Sequence, residues 1–276
     1  MKFSFVSLFT KLTLVASASC ALVSCDEPEY SEAKPITTAS TAQGRYQIVN
    51  AAPGAGNAQL LSIDNVALPT APAPIPYLGT AAYTNISAGQ RLLLFSTATN
   101  LNSQQIPSRS AFNTGSSSTI FLTDIPTRAS TSTDQGGVRT VVLPDNLAAP
   151  TNAANAKVRF INLSPSLTAS GANGFGLFNV SNSTFLFAPT GRGYRATSYT
   201  PASVPGAPAP VTTNFANFTE VVPGTYTLEV RATVTATPNV AAQPITFATG
   251  KIYTLYTRGV ASSTATPLGI SMVTHN

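Results

Sequence analysis

Hydrophobic and polar side chains alternate in a short run in the last quarter of the chain. In that run the apolar residues Tyr226, Leu228 and Val230 are separated by threonine and glutamate. Successive side chains of a β-strand point to opposite faces, so the alternation predicts a half-buried strand over 225–231 whose apolar residues face a core. Pro223-Gly224 precedes it and suits a type II turn, because proline fixes φ and glycine accepts a positive φ.

Two further runs, 251–258 and 268–274, also have the composition and spacing of strands. After the N-terminal segment, no stretch of 12 residues has the apolar spacing of an amphipathic helix. Many short strands separated by turn residues are typical of antiparallel sandwiches. We therefore expect an all-β protein built from two tandem antiparallel β-sandwich domains of immunoglobulin-like type.

The chain also repeats itself, in three pairs of matching blocks. The pairs are 45–53 with 157–165, 83–89 with 218–224, and 119–122 with 254–257. The offset is 112 residues for the first pair and 135 for the others, so the second copy carries about 23 extra residues between its first two blocks. The repeat predicts one domain over 44–145 and another over 156–276, with a boundary at Pro144–Asn155 that is rich in Pro, Ala and Asn.

The N-terminal segment has the features of an export signal. Lys2 and Lys11 precede an apolar stretch, Leu12–Val23, that is shorter than the roughly 20 residues a membrane-spanning helix needs. The stretch ends in Leu22-Val23-Ser24-Cys25, which resembles the lipobox of bacterial lipoprotein precursors. That resemblance implies a lipoprotein signal peptide over 1–24 and lipidation at Cys25.

Two alternatives remain for this segment: an uncleaved membrane helix over 3–23, and acylation at Cys20. Acyl chains on Cys25 would anchor the protein, since two or more chains bind a membrane stably. Residues 25–43 are polar and aperiodic, so we expect a flexible tether that reaches about 20–25 Å.

An acidic run follows Cys25 and bears on the location of the protein. It resembles surface-export signals of some Gram-negative lipoproteins, whereas in enteric-type sorting Asp26 instead suggests retention at the inner membrane. We expect a lipid-anchored cell-envelope protein, in the outer membrane or at the cell surface.

Composition excludes several classes of partner and chemistry. Charged residues make up 9% of the chain, against roughly 25% in ordinary soluble domains. Without Lys2 and Lys11 the chain has 13 basic and 10 acidic residues, and its arginines are scattered singly, which argues against nucleic-acid binding. Both cysteines lie at or before the expected mature N-terminus, so no disulfide is expected within the domains.

Candidate catalytic residues are few. The chain has one histidine, His275, next to its end, where we expect fraying rather than a role in a Ser-His-Asp site. A zinc site lacks preferred ligands. The aspartates Asp64, Asp124, Asp134 and Asp145 lie far apart, and Asp64-Asn65 and Asp145-Asn146 are predicted to be turn residues. We therefore expect no enzyme activity and no cofactor or metal. A paired-carboxylate glycosidase site is the alternative, and no feature of the sequence supports it.

The extra residues of the second copy contain the remaining candidate for ligand binding. Region 166–214 holds the phenylalanines Phe175, Phe178, Phe185 and Phe187. It also holds Arg192, Tyr194, Arg195 and Tyr199. Aromatic rings beside arginines on a loop can stack on a sugar or hold a protein partner. The alternative is that the phenylalanines belong to the strand core and the rest is a solvated loop.

Three blocks of the second copy resemble one known family. The blocks are 156–165, 222–231 and 250–256. They resemble the bacterial domain of unknown function 4397, which often occurs as tandem copies in envelope lipoproteins. The resemblance is strongest over 156–276 and weaker in the first copy, where Ala88 and Arg91 replace Pro223 and Tyr226. It implies a β-sandwich envelope module and brings no catalytic residues with it.

These observations lead to a ranked set of functional hypotheses. The first is a non-catalytic, lipid-anchored envelope protein for adhesion, scaffolding or partner binding. The second is a glycan-binding module that serves polysaccharide uptake, and the third is a hydrolase with an unrecognised site. Exposed coplanar tyrosines within 166–214 would favour glycan binding, a buried aromatic cluster there would favour a scaffold, and a convergent carboxylate pair would favour an enzyme.

Overall fold

The computed structural model describes residues 42–98, 105–132, 136–169, 174–187, 191–206 and 208–276. Cys20, Cys25, the signal peptide, Asp134 and nearly all of the expected tether lie outside these residues. Within them the regular secondary structure is β-strand, with no α-helix. Consequently, no described helix is long and apolar enough to cross a membrane.

The first half of the described chain forms two four-stranded sheets. Its strands are β1 (Gln43–Asn50), β2 (Ala58–Ile63), β3 (Val66–Ala67), β4 (Thr84–Ser87), β5 (Gly89–Thr97), β6 (Ile106–Phe112), β7 (Ser117–Thr123) and β8 (Arg139–Asp145). The order β4-β1-β7-β8 makes up inner sheet 1, and the order β3-β2-β5-β6 makes up outer sheet 1. Together they are the first sandwich, because one apolar core lies between them.

The second half has the same strand order. Its strands are β9 (Ala156–Asn162), β10 (Gly176–Asn179), β11 (Thr184–Phe185), β12 (Ser198–Tyr199), β13 (Thr213–Asn214), β14 (Thr219–Val221), β15 (Gly224–Arg231), β16 (Val240–Phe247), β17 (Ile252–Arg258) and β18 (Gly269–Thr274). Inner sheet 2 has the order β14-β9-β17-β18 and outer sheet 2 the order β11-β10-β15-β16, with a core between them. These sheets are the second sandwich, and the additional pair β12-β13 lies in the region of extra residues.

The two inner sheets are mixed and the two outer sheets are antiparallel, so the prediction of antiparallel sandwiches was wrong for the inner sheets. β1 pairs with β7 in parallel, with Arg45 opposite Ser117. β9 pairs with β17 in parallel, with Lys157 opposite Ile252. Alternation along a strand reports which side chains are buried and carries no information about the direction of the neighbouring strand.

Local structure agrees with most of the sequence patterns. In β15, Leu228 and Val230 are fully buried and Tyr226 packs against the same core, as predicted. Asp64-Asn65, with φ of 52° and 63°, makes the predicted turn between β2 and β3. The prediction of a type II turn before β15 was wrong. Gly224 has a φ of 145°, far from the value of about 80° in such a turn, and is already the first residue of the strand.

A third apolar cluster joins the two sandwiches. It packs the outward faces of inner sheets 1 and 2 against each other and includes Phe121, Leu143, Ile161, Tyr256 and Val273. Ser40–Asn276 accordingly forms one compact unit. The ten residues of 146–155 connect the sandwiches, between the end of β8 and the start of β9.

Candidate functional site

Two of the residues singled out from the sequence, Tyr194 and Arg195, line a cleft between the two sandwiches. The cleft has a volume of about 460 Å³. Its other walls come from β8 and from the residues that follow Arg195: Thr140, Val141, Val142, Ala196 and Thr197. We call this the tyrosine cleft, and both sandwiches are needed to form it.

The geometry of Tyr194 and Arg195 is set by their backbone and by burial. Arg195 has a φ of 56°, a left-handed conformation that is uncommon for arginine, and its backbone N–H donates to the carbonyl oxygen of Asn162 at 2.8 Å. Its guanidinium lies 4.9 Å from the centre of the Tyr194 ring. Burial of the Tyr194 hydroxyl, followed by the nearby carboxylate of Asp124, raises the pKa of Tyr194.

Arg192 is buried among aromatic rings. Its side chain is 6% exposed, and its Nε donates to the carbonyl oxygen of Phe160 at 3.0 Å. The guanidinium lies 4.7 Å from the ring centre of Phe215 and 5.4 Å from that of Phe187. Burial lowers the pKa of Arg192 to about 10, so the group is still charged at neutral pH.

Arg192 also lies in the wall of a second, smaller cleft of about 270 Å³, which we call the arginine cleft. The other lining residues are Leu186, Phe187, Thr212, Thr213, Asn214, Asn217 and Thr219. Hydroxyl and amide groups therefore line most of this cleft, and a buried cation lies in one wall. Tyr199 is half-buried in the β12-β13 pair opposite Thr213 and lies in the wall of neither cleft.

Three of the four phenylalanines of 166–214 are buried, and two of these belong to a sandwich core. Phe175 and Phe187 belong to the core of the second sandwich. Phe178 is buried on the other face of outer sheet 2, where its ring packs edge-on against Phe185 at 5.6 Å and lies 4.1 Å from the Arg231 guanidinium. This buried arrangement meets the criterion that favoured a scaffold over a glycan platform.

A network of polar side chains is buried where inner sheets 1 and 2 meet. We call it the interface polar cluster; its members are Gln47, Tyr83, Thr119, Asp145, Arg159, Thr254 and His275. At its centre, Nη2 of Arg159 lies 2.5 Å from Oδ1 of Asp145, and both side chains are inaccessible to solvent. A buried charge is stable only when it is paired and hydrogen-bonded.

Both members of the central pair, Arg159 and Asp145, also form hydrogen bonds with neighbouring groups. The other Asp145 oxygen accepts hydrogen bonds from the Tyr83 hydroxyl at 2.8 Å and from the Thr119 hydroxyl at 2.7 Å. Arg159 donates through Nε to Thr254 and through Nη1 to the carbonyl oxygens of Pro144 and Ala216. The prediction that Asp145 is a turn residue was wrong; Asn146 does begin a turn, accepting the N–H of Ala148 at 3.1 Å.

His275 belongs to this cluster, so the expectation that it frays was wrong. The residue is 8% exposed, and its backbone N–H donates to the carbonyl oxygen of Ile252 at 2.9 Å. Its Nδ1 lies 2.8 Å from Nε2 of Gln47 and 2.9 Å from the Tyr83 hydroxyl, and its Nε2 lies 2.7 Å from the Thr254 hydroxyl. Burial lowers the pKa of His275 to about 4, so the imidazole is neutral at physiological pH.

The chemistry available to the cluster follows from these bonds. Its single carboxylate, Asp145, is neutralised by Arg159, and His275 is surrounded by an amide, two hydroxyls and the edge of the Phe218 ring. Elsewhere among the described residues, no three His, Cys, Asp or Glu side chains are placed to hold a metal ion. The cluster is therefore organised to join the two inner sheets.

Comparison with known proteins adds a family match. Residues 45–169 match a family model described as a domain of unknown function, DUF4397. A DUF4397 domain is therefore present in this chain, mainly over the first sandwich rather than over 156–276, where the resemblance was expected to be strongest; a second, tandem copy stays a prediction. A search of curated proteins found no match.

The DUF4397 domain begins within β1, spans the first sandwich and ends beyond β9. It contains five members of the interface polar cluster, among them Asp145 and Arg159, whereas Thr254 and His275 lie outside it. Arg192, Tyr194, Arg195 and Tyr199 also lie outside it, so the family match gives no information about ligand binding by these residues.

Proposed function

We propose that this protein is a non-catalytic, lipid-anchored scaffold of the cell envelope that binds a protein partner through the tyrosine cleft. The two sandwiches are, in this proposal, tandem immunoglobulin-like copies of the DUF4397 module. The observation that carries the proposal is that the tyrosine cleft takes one wall from each sandwich, Thr140–Val142 from the first and Tyr194–Thr197 from the second. A binding site of this kind requires the two sandwiches to be held together, which is the role of the interface polar cluster.

The composition of the cleft indicates the chemistry of the partner. Arg195 supplies a cation that stacks on Tyr194, and Thr140 and Thr197 supply hydroxyl groups beside the apolar Val141. An extended segment with an acidic side chain and apolar neighbours fits this lining, because charged and apolar contacts are combined in a concave site. A glycan instead stacks on exposed aromatic faces. Tyr194 and Tyr199 are both half-buried, and Tyr199 pairs with Thr213 in the short β12-β13 sheet.

Cys25 is proposed as the lipidation site that attaches this module to a membrane, in the outer membrane or at the cell surface. Metabolic labelling with a fatty-acid analogue tests the anchor. We expect Cys25→Ser to abolish labelling and release the protein from membranes, whereas Cys20→Ser leaves both unchanged. Unchanged labelling of Cys25→Ser contradicts the proposal.

A cross-linking experiment in whole cells tests the binding site. The replacement Arg195→Asn removes the guanidinium and keeps a residue type that tolerates the left-handed backbone. Arg109→Ala is the matched control, because Arg109 is exposed on β6 and lies outside the cleft. We expect a specific envelope protein to be cross-linked by the wild type and by Arg109→Ala, and to be lost with Arg195→Asn at an unchanged melting temperature.

A glycan array with the same three proteins separates the alternative function. Binding of a glycan that Arg195→Asn abolishes would replace the protein partner by a carbohydrate ligand at this cleft. Equal cross-linking by all three proteins would show that the tyrosine cleft is not the binding site.

A further inference from the structure

The two sandwiches can be aligned residue by residue through their strand pairing. In the first, Arg45 lies opposite Ser117 across β1 and β7; in the second, Lys157 lies opposite Ile252 across β9 and β17. The offsets are therefore 112 residues for the first strand and 135 for the seventh, the same values as in the sequence repeat. The last strands extend the alignment, since Leu143 lies opposite Thr119 and Val273 lies opposite Thr254.

This alignment pairs each member of the interface polar cluster with a counterpart in the other copy. Gln47 corresponds to Arg159 and Thr119 to Thr254. Tyr83 corresponds to Phe218 in the matching blocks, and Asp145 to His275, two residues beyond Leu143 and Val273. Seven of the eight residues at these four positions belong to the cluster, and the eighth, Phe218, packs against Arg159 and His275.

The contacts between copies obey the same correspondence. Arg159 of the second copy contacts Asp145 of the first at 2.5 Å. The related contact joins Gln47 of the first copy to His275 of the second at 2.8 Å.

Contacts within each copy correspond as well. Nε of Arg159 donates to Thr254 at 2.8 Å, and Nε2 of Gln47 donates to Thr119 at 2.9 Å. Thr119 reaches Asp145 at 2.7 Å, and Thr254 reaches His275, also at 2.7 Å.

The apolar part of the interface shows where the symmetry axis passes. Phe121 and Tyr256 occupy equivalent positions, and their rings pack on each other with centroids 5.4 Å apart. In a twofold arrangement, a residue meets its own equivalent only at the axis, so the axis passes near these two rings. The cluster around them contains further equivalent pairs: Val49 with Ile161, Ala51 with Leu163, and Leu143 with Val273.

We propose that the two sandwiches form a fused quasi-homodimer, in which the outward face of each inner sheet is a self-complementary surface that binds a second copy of the module. An isologous interface uses the same patch on both partners, so that each contact occurs twice. Here one of the two equivalent polar contacts is an ion pair, between Arg159 and Asp145. The other is neutral, between Gln47 and His275. This inference rests on the tandem copies of the proposed function and is independent of partner binding.

A double-mutant cycle on the mature protein tests the symmetry. Gln47→Arg and His275→Asp replace the neutral Gln47–His275 contact by an arginine and an aspartate, as in the equivalent Arg159–Asp145 contact. If the interface is quasi-twofold, the new arginine lies against the new aspartate as Arg159 lies against Asp145. Each single change leaves a buried charge without its partner and is expected to lower the folding equilibrium constant by at least about 100-fold.

The combined variant is expected to recover stability, with a coupling between the two changes of at least about 10-fold in the folding equilibrium constant. Gln47→Arg combined with Met272→Asp is the matched control. Met272 is 41% exposed on β18 and does not face the cluster, so Met272→Asp adds an aspartate outside the interface. We expect no coupling in the control.

The outcomes are distinct and need no partner or membrane. Coupling in the first cycle and its absence in the control support the quasi-homodimer. Where a single variant is too unstable to fold, a combined variant that does fold gives a lower limit for the coupling. A combined variant no more stable than Gln47→Arg, or equal coupling in both cycles, overturns it. The proposed partner binding is unaffected by either result, since its tests measure cross-linking at the tyrosine cleft.

Discussion

The buried histidine leads to a specific prediction about pH. His275 is neutral in the folded protein because burial lowers its pKa from 6.5 to about 4. Between these two pH values the unfolded chain binds one more proton than the folded chain, so stability falls as the pH is lowered. The stability that depends on a neutral His275 is fully present above pH 6.5 and is lost by about pH 4. A pKa change of this size corresponds to a free energy of at most about 3 kcal/mol.

The assay is urea denaturation at a series of pH values from 4 to 8, followed by intrinsic tyrosine fluorescence. His275→Gln is the control, because it keeps a polar side chain of similar reach and removes the titration. Carboxylates such as Glu220, whose hydrogen bonds to Asn155, Thr151 and Asn152 lower its pKa to about 2, titrate in both proteins and cancel in the difference. We expect the wild type to lose up to about 3 kcal/mol relative to His275→Gln between pH 6.5 and pH 4.

Direct titration by NMR provides an independent check. The chain contains one histidine, so its imidazole signal is unambiguous. A midpoint near pH 6.5 in the folded protein, or parallel stability curves for the wild type and His275→Gln, would refute the reasoning, since either result means that the imidazole is solvated.

Three further predictions concern stability and are measured by urea denaturation at pH 7. Leu228→Ala should cost about 2–5 kcal/mol because the side chain is fully buried, whereas Val222→Ala, at a 67% exposed position, should change stability by less than about 0.5 kcal/mol. Asp145→Asn should cost about 3–5 kcal/mol, since it leaves the buried Arg159 without its counter-charge; a loss below about 1 kcal/mol would contradict the buried pair. Tyr194→Ala should lower the melting temperature because the side chain is half-buried and its hydroxyl is shielded from solvent, and an unchanged melting temperature would show that it is a surface residue.

The strands were predictable from the sequence because burial on one face leaves a period-two pattern. Leu228 and Val230 face the core as their spacing predicted, and the runs 251–258 and 268–274 correspond to β17 and β18. The direction of pairing was not predictable. β1 and β7 lie far apart in the chain, and no local signal records that they run in parallel.

The candidate site was only partly predictable. An aromatic- and arginine-rich composition predicted Arg192, Tyr194, Arg195 and Tyr199. The first three line a cleft and Tyr199 lines neither, and ligand binding by these residues stays a prediction. The interface polar cluster was missed. The sequence predicts a turn at Asp145 and a frayed end at His275, because both lie at strand ends next to irregular chain. The one available signal was the repeat itself, which aligns Gln47 with Arg159.

The sequence by itself therefore determined the strands, the internal repeat and the residues that each sandwich buries in its own core. These features depend on neighbouring residues and on the alternation of polar and apolar side chains, so short stretches of sequence are enough to predict them. Only the tertiary structure decided which outward faces meet and that Asp145, Arg159 and His275 are buried together. The physical reason is that these contacts join residues as much as 228 positions apart, and the environment of a charged side chain depends on what packs against it from elsewhere in the chain.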